Sequence, residues 1–189
     1  MSKPKLGLAL SGSYCTFDKL LPVARTLTEK YDVTAIMSDN SSSTDTRFVS
    51  AENMKQSLRK ITGRELILTI TEAEPIGPRK LLDVLVVAPC TGNTLAKLAA
   101  GIADTTVTLA CKAHLRNERP IVLCVSSNDA LSTNAKNIGE LLNRKNMYFV
   151  PLRQDDSVKK PFSIVSDMAL IDETVAAALD GRQLQPILR

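Results

Sequence analysis

Four short stretches carry what chemistry the chain offers: Ser11-Gly12-Ser13-Tyr14, then Ser38, then Cys90-Thr91-Gly92-Asn93-Thr94, and finally Ser126-Ser127-Asn128 with Asp129 behind it. Hydroxyls and amides donate and accept hydrogen bonds, and glycine lets backbone come close to a bound group. Such residues suit holding a ligand, above all an anion, better than attacking one. Hydrolysis by an activated serine is excluded, because the chain has a single histidine and no nucleophile elbow. Cys15, Cys90, Cys111 and Cys124 form no C-x-x-C pair and give no zinc spacing. They read as reduced thiols of a cytoplasmic protein. Cys90 stands before a helix start, where a thiol pKa falls, but a buried cysteine after a strand is inert, and that is the reading taken. Asn93 has two uses open to it, as a ligand-binding amide or as a helix N-cap.

The elements that must position these residues follow from periodicity. Val84 to Val87 with Ala88 is an unbroken apolar run, β-branched at three positions, and reads as a strand buried on both faces of a parallel sheet. Pro89 has no N–H and is expected to end its ladder. The helix that follows exposes unpaired N–H groups at Cys90 to Thr94, at a strand's carboxyl end, where open α/β sheets bind ligands.

Leu6 to Leu10 is a first strand rather than the core of a signal peptide, since the apolar run is short and turns polar at Ser11. The turn Ser11 to Tyr14 leads into a helix carrying Phe17, Leu20, Leu21, Ala24 and Leu27, kinked by Pro22 or beginning near it. Gly7 and Gly12 have P-loop spacing, but Ser13 stands where that loop needs lysine, and there is no G-x-G-x-x-G; a plain strand-to-helix turn is the competing reading.

Val33 to Met37 is a second strand, and the polar run 38–46 reads as a mobile loop. A helix over 51–61 stops at Gly63, and Glu65 to Ile70 is a weak third strand. Further helices are expected over 106–117, 135–142 and 172–179, with strands over 121–125 and 147–150. Four strands thus finish in small polar residues, which a shared ligand crevice explains economically.

With 189 residues, 44% hydrophobic and 23% charged, the chain is of single-domain size, residues 1–189. A net charge of +4, 4% aromatics and no tryptophan exclude the basic, base-stacking surface of a nucleic-acid binder. No apolar run approaches the roughly 20 residues of a membrane span. Small anions remain, for which Lys97, Lys112 and Arg116 are candidates by charge. His114 sits among Lys112, Arg116 and Glu118 and reads as a surface or interface residue rather than a catalyst.

The run Ala88-Pro89-Cys90-Thr91-Gly92-Asn93-Thr94-Leu95-Ala96-Lys97-Leu98-Ala99, with Gly101-Ile102-Ala103-Asp104, resembles the signature of the homo-oligomeric flavin-containing cysteine decarboxylases, and Ser11-Gly12-Ser13 resembles their phosphate-proximal turn. Segments 72–78, 112–117 and 134–139 are worded as in one branch of that family. The resemblance implies a Rossmann-like or flavodoxin-like α/β/α fold of three layers with a six-stranded, mainly parallel sheet. It implies trimers that assemble further and flavin mononucleotide (FMN) near subunit interfaces.

For that branch it also implies part of an oxidoreductase complex that works on a small dicarboxylate, beside a partner chain that handles NAD(P). The alternatives are a binding or scaffolding subunit without its own redox step, or an FMN-dependent decarboxylase-like enzyme. Two departures bear on them. Glu74-Pro75 occupies the region of the decarboxylases' catalytic histidine, and Ser126-Ser127-Asn128-Asp129 replaces their Pro-x-Met-Asn substrate motif. No residue of this chain is thereby assigned a catalytic role.

Overall fold

The computed structural model describes residues 2–189. The apolar runs form parallel strands: β1 (Lys5–Leu10), β2 (Asp32–Met37), β3 (Val84–Cys90), β4 (Ile121–Ser127) and β5 (Met147–Phe149) lie in the order β2-β1-β3-β4-β5. A hairpin of β6 (Gln154–Asp156) and β7 (Lys160–Val165) adds antiparallel to the end of β4, pairing Ser126 with Val165 and Ser127 with Ile164. The sheet is therefore seven-stranded rather than six. The strand expected over 65–70 contributes only a bridge between Ile67 and Ile36. Ile70 instead opens a short helix, α4 (Ile70–Ala73), behind a Thr69–Glu72 capping box.

Successive residues of a strand face opposite sides, and the core divides accordingly. Leu6, Leu8, Leu10, Val84, Val86 and Val122 pack against α1 (Phe17–Lys30), α3 (Ala51–Thr62) and α8 (Ile171–Leu179). Ala9, Leu85, Val87, Ile121, Leu123 and Val125 pack against α5 (Gly92–Ala100), α6 (Thr106–Leu115) and α7 (Ala135–Leu142). Two helical layers enclosing the sheet make the three-layer α/β/α architecture.

Three local expectations are corrected. Of the two alternatives for the first helix, a start near Pro22 is overturned: it begins at Phe17, five residues earlier, and continues through the proline. The run 38–46 is not a plain loop: Ser38 caps α2 (Asp39–Ser43), and the buried Ser41 hydroxyl donates to the Leu10 carbonyl at 3.1 Å. Pro89 does not end β3, which continues to Cys90 after a register irregularity between Val87 and Cys90. No helix of the described residues is long and apolar enough to cross a membrane.

Candidate functional site

The chain leaves β1 toward β2 on one side, while β3 pairs with β1 on the other, so the order reverses between β1 and β3. In a doubly wound sheet a crevice opens at such a switch point, outside the carboxyl ends of the strands. A cleft of about 720 Å³ lies there, lined by Gly12, Ser13 and Tyr14 after β1, Thr91, Gly92 and Asn93 after β3, and Ser126, Ser127 and Asn128 at the end of β4.

The other expected residues take different places. Ser11 is buried as a strut: its hydroxyl donates to the Pro89 carbonyl at 2.7 Å and accepts the Thr91 N–H at 3.1 Å, tying the ends of β1 and β3 together. Ser38 is buried as the cap of α2 and does not line the cleft. Cys90 is wholly buried, and burial pushes its thiol pKa well up, which leaves it an inert thiol. Thr94 is buried against Thr91, their hydroxyls 3.1 Å apart.

Thr91, not Asn93, caps α5, its hydroxyl accepting the Thr94 N–H. Asn93 is left exposed on the cleft wall. The first N–H groups of α5 also face no intrahelical partner, as at any helix start. On the opposite wall, the Ser13 N–H is already committed to the Ser11 carbonyl at 2.9 Å, which leaves those of Gly12 and Tyr14 for a ligand. Ser13 Oγ lies 2.8 Å from Ser126 Oγ.

A second polar network holds the β4 end. The Ser127 hydroxyl donates to Asp129 Oδ1, and Asn134 Nδ2 donates to Asp129 Oδ2 at 2.8 Å. Asn137 Nδ2 in turn donates to Asn134 Oδ1 at 2.8 Å, fixing which way that amide faces. The network needs Gly92: a Cβ there would sit 2.5 Å from Asn134 Nδ2 and 2.6 Å from both Asp129 Oδ1 and Ser127 Oγ.

Sequence reasoning passed over Cys15, Phe48, Asp155, Lys160, Ser163 and Val165, which also line the cleft; Asp129, at the end of the fourth polar stretch, lines it too. Most arrive on the hairpin, whose polar residues gave no strand pattern. Lys160 is the one cation in the lining, paired to Asp155 at 2.6 Å, and that carboxylate raises its pKa. Lys97, Lys112 and Arg116 are absent from the lining; Lys97 bonds Asp104 at 2.8 Å, and Lys112 lines a separate hollow beside Ile102 and Arg144.

His114 is no surface residue: it is 0% exposed, facing inward from α6. Its Nε2–H donates to the Pro120 carbonyl at 3.1 Å, leaving Nδ1 buried without a partner, and burial lowers its pKa to about 4. No group of three or more His, Cys, Asp or Glu able to hold a metal occurs among the described residues.

A doubly wound sheet with a polar cleft at its switch point defines a nucleotide- or flavin-binding type of protein, and the chain belongs to the flavoprotein family, whose model matches residues 1–186. It is 42% identical to the B subunit of dipicolinate synthase from Bacillus subtilis (strain 168) over 185 residues, 97% of this chain and 92% of that protein. The crystal structure of the corresponding B subunit from Bacillus halodurans C superposes with a TM-score of 0.91 at 39% identity, covering 100% of this chain and 97% of that one. An FMN-dependent cysteine decarboxylase shares the fold, with a TM-score of 0.65 at 20% identity over 95% of this chain and 98% of that chain.

The cleft's residues fit a flavin nucleotide. Its volume lies within the roughly 300–1,000 Å³ of small-molecule sites, and serine hydroxyls with helix-start N–H groups suit a phosphate without lysine. Tyr14, Phe48 and Val165 supply apolar wall for a ring system.

Proposed function

We propose that this chain is the B subunit of a dipicolinate synthase and works with the enzyme's A subunit in the oxidation of dihydrodipicolinate to dipicolinate in the mother cell of a sporulating bacterium. The observation that carries the reading is identity of 42% maintained over 97% of the chain with a protein of that name. The cofactor is FMN, held by Gly12, Ser13 and Tyr14 on one wall and by Thr91, Gly92, Asn93, Ser126, Ser127 and Asn128 on the other. When bound, flavin can accept a hydride, and so can the NAD(P) handled by the A subunit. The chain's own residues bind and orient. Helix-start N–H groups and serines meet anionic groups, and Lys160 on the hairpin is the lining cation available to a dicarboxylate. Ser11 ties the two walls together and Thr94 bonds Thr91 from behind, while Ser38 and Cys90 lie outside the lining. A homo-oligomer built from trimers completes the assembly.

Mixing the purified chain with the A subunit, then following dihydrodipicolinate conversion, tests the reading. Turnover must exceed that of the partner chain alone; equal rates overturn it. A second reading, a binding or scaffolding subunit without a redox step, is favoured by one observation: the cleft lining contains no histidine, the lone His114 being in the core. The same absence argues against a decarboxylase-like activity. Titration with FMN, followed by flavin absorbance, separates the two: a scaffold leaves the spectrum of added flavin unchanged.

A further inference from the structure

We propose that Asp129 is the general base of the ring oxidation, with Ser127 relaying the proton and Asn134 positioning the carboxylate; the inference rests on the dipicolinate synthase reading. Aromatising a dihydropyridine removes a hydride from one saturated ring atom and a proton from its neighbour. The hydride leaves with its electron pair for an oxidised nicotinamide carried by the partner chain, which is thereby reduced. The other ring–hydrogen bond breaks so that its pair closes the new double bond. Its proton passes to Ser127 Oγ while the Ser127 hydroxyl proton passes to Asp129, which later releases it to solvent at the cleft mouth.

The cleft offers few groups able to accept that proton. His114 is in the core. Tyr14 spends its hydroxyl donating to the Asn40 carbonyl at 2.9 Å. Lys160 is held protonated by Asp155, and Asp155 is in turn occupied by Lys160. Asp129 is the lining carboxylate that belongs to no ion pair.

Each of its oxygens accepts one hydrogen bond, from Ser127 or from Asn134, and each keeps a second lone pair. The Asn134 amide is itself fixed by Asn137, so the carboxylate is held in one orientation before any ligand arrives. Gly92 brings the start of α5 against the same carboxylate, where a negative charge is favoured.

The test uses the chain together with its partner chain. Asp129→Asn is isosteric, and it should lower kcat by about 10²- to 10³-fold, with KM moving less than about threefold. Formate should restore part of the activity of Asp129→Ala. Titration of dipicolinate into the variant should show binding retained, a readout independent of turnover. A wild-type chain that adds nothing to its partner's turnover overturns both the synthase reading and this proposal. A working wild-type complex with kcat for Asp129→Asn within about threefold of it overturns the base alone. Should Asp129→Asn melt early, Asp129→Glu decides against Asp129→Gln: a higher kcat for Glu supports the base, and equal values overturn it.

Discussion

Replacing Gly92 by alanine would put a methyl carbon within 2.6 Å of three polar atoms, on Asn134, Asp129 and Ser127, none of them the loose end of a long side chain. Relief requires either the network to open or α5 to back away, and overpacking of this kind costs about 1–3 kcal/mol. Gly92→Ala should therefore fold with a lowered urea midpoint and lose ligand affinity, while alanine at the exposed Gly139, where a Cβ meets nothing within 4 Å, should do neither. His114 makes a different kind of statement. Burial first of all, aided by Arg119, lowers its pKa from 6.5 to about 4, so between those values the unfolded chain binds more protons than the folded one. Its contribution is fully present above about pH 6.5, declines as pH falls and is gone below about 4, a total of about 3–4 kcal/mol. Urea unfolding of wild type and His114→Gln across pH 4 to 7 should show the steeper acid loss in the wild type; parallel curves would mean that His114 titrates alike in both states.

At the scale of elements, the cleft walls are held by the Ser11 strut between β1 and β3. Ser11→Ala leaves the Thr91 N–H without its side-chain acceptor and removes a donor from Pro89, so a loss of about 1–3 kcal/mol is expected although Ser11 touches no ligand. A chemical-denaturation shift below about 0.5 kcal/mol would reduce the strut to an ordinary surface contact. What could be read in advance at this scale depended on apolar pattern. β3, β4, α5 and α7 carry unbroken or periodic apolar residues and were expected close to where they stand. The β6–β7 hairpin was invisible because its segment Gln154–Val165 is mostly charged or polar and buries little beyond Ser163 and Ile164. With it went Lys160, Asp155 and Ser163 of the cleft. The α2 segment looked like loop because its serines satisfy backbone groups rather than pack an apolar face. Two signals were present but unused: Thr69-x-x-Glu72 is a capping box, and Val107, Ala110, Cys111 and His114 recur at helical spacing on a buried face. The second of these would have placed the histidine in the core.

Across the whole molecule, the two packed layers share the same central strands, so neither helical layer keeps its core once the sheet opens. One cooperative transition should follow, and a ligand bound at the sheet's edge should raise the stability of the entire chain by mass action. The β1 turn is where that ligand's phosphate is expected, from the Gly12 and Tyr14 N–H groups and the Ser13–Ser126 hydroxyl pair. FMN at 100 times its dissociation constant adds about 2.7 kcal/mol. For a chain of this size that corresponds to roughly 5–10 °C in Tm. Ser13→Asp would set a carboxylate against the phosphate and disturb the Ser126 contact, so its melting temperature should respond far less to the same FMN concentration, with Ser13→Ala between the two. Thermal scans with and without FMN, monitored by far-ultraviolet circular dichroism, read this directly. An equal rise in parent and Ser13→Asp would put the phosphate elsewhere than the β1 turn, and no rise in the parent would mean that a single chain does not hold the flavin.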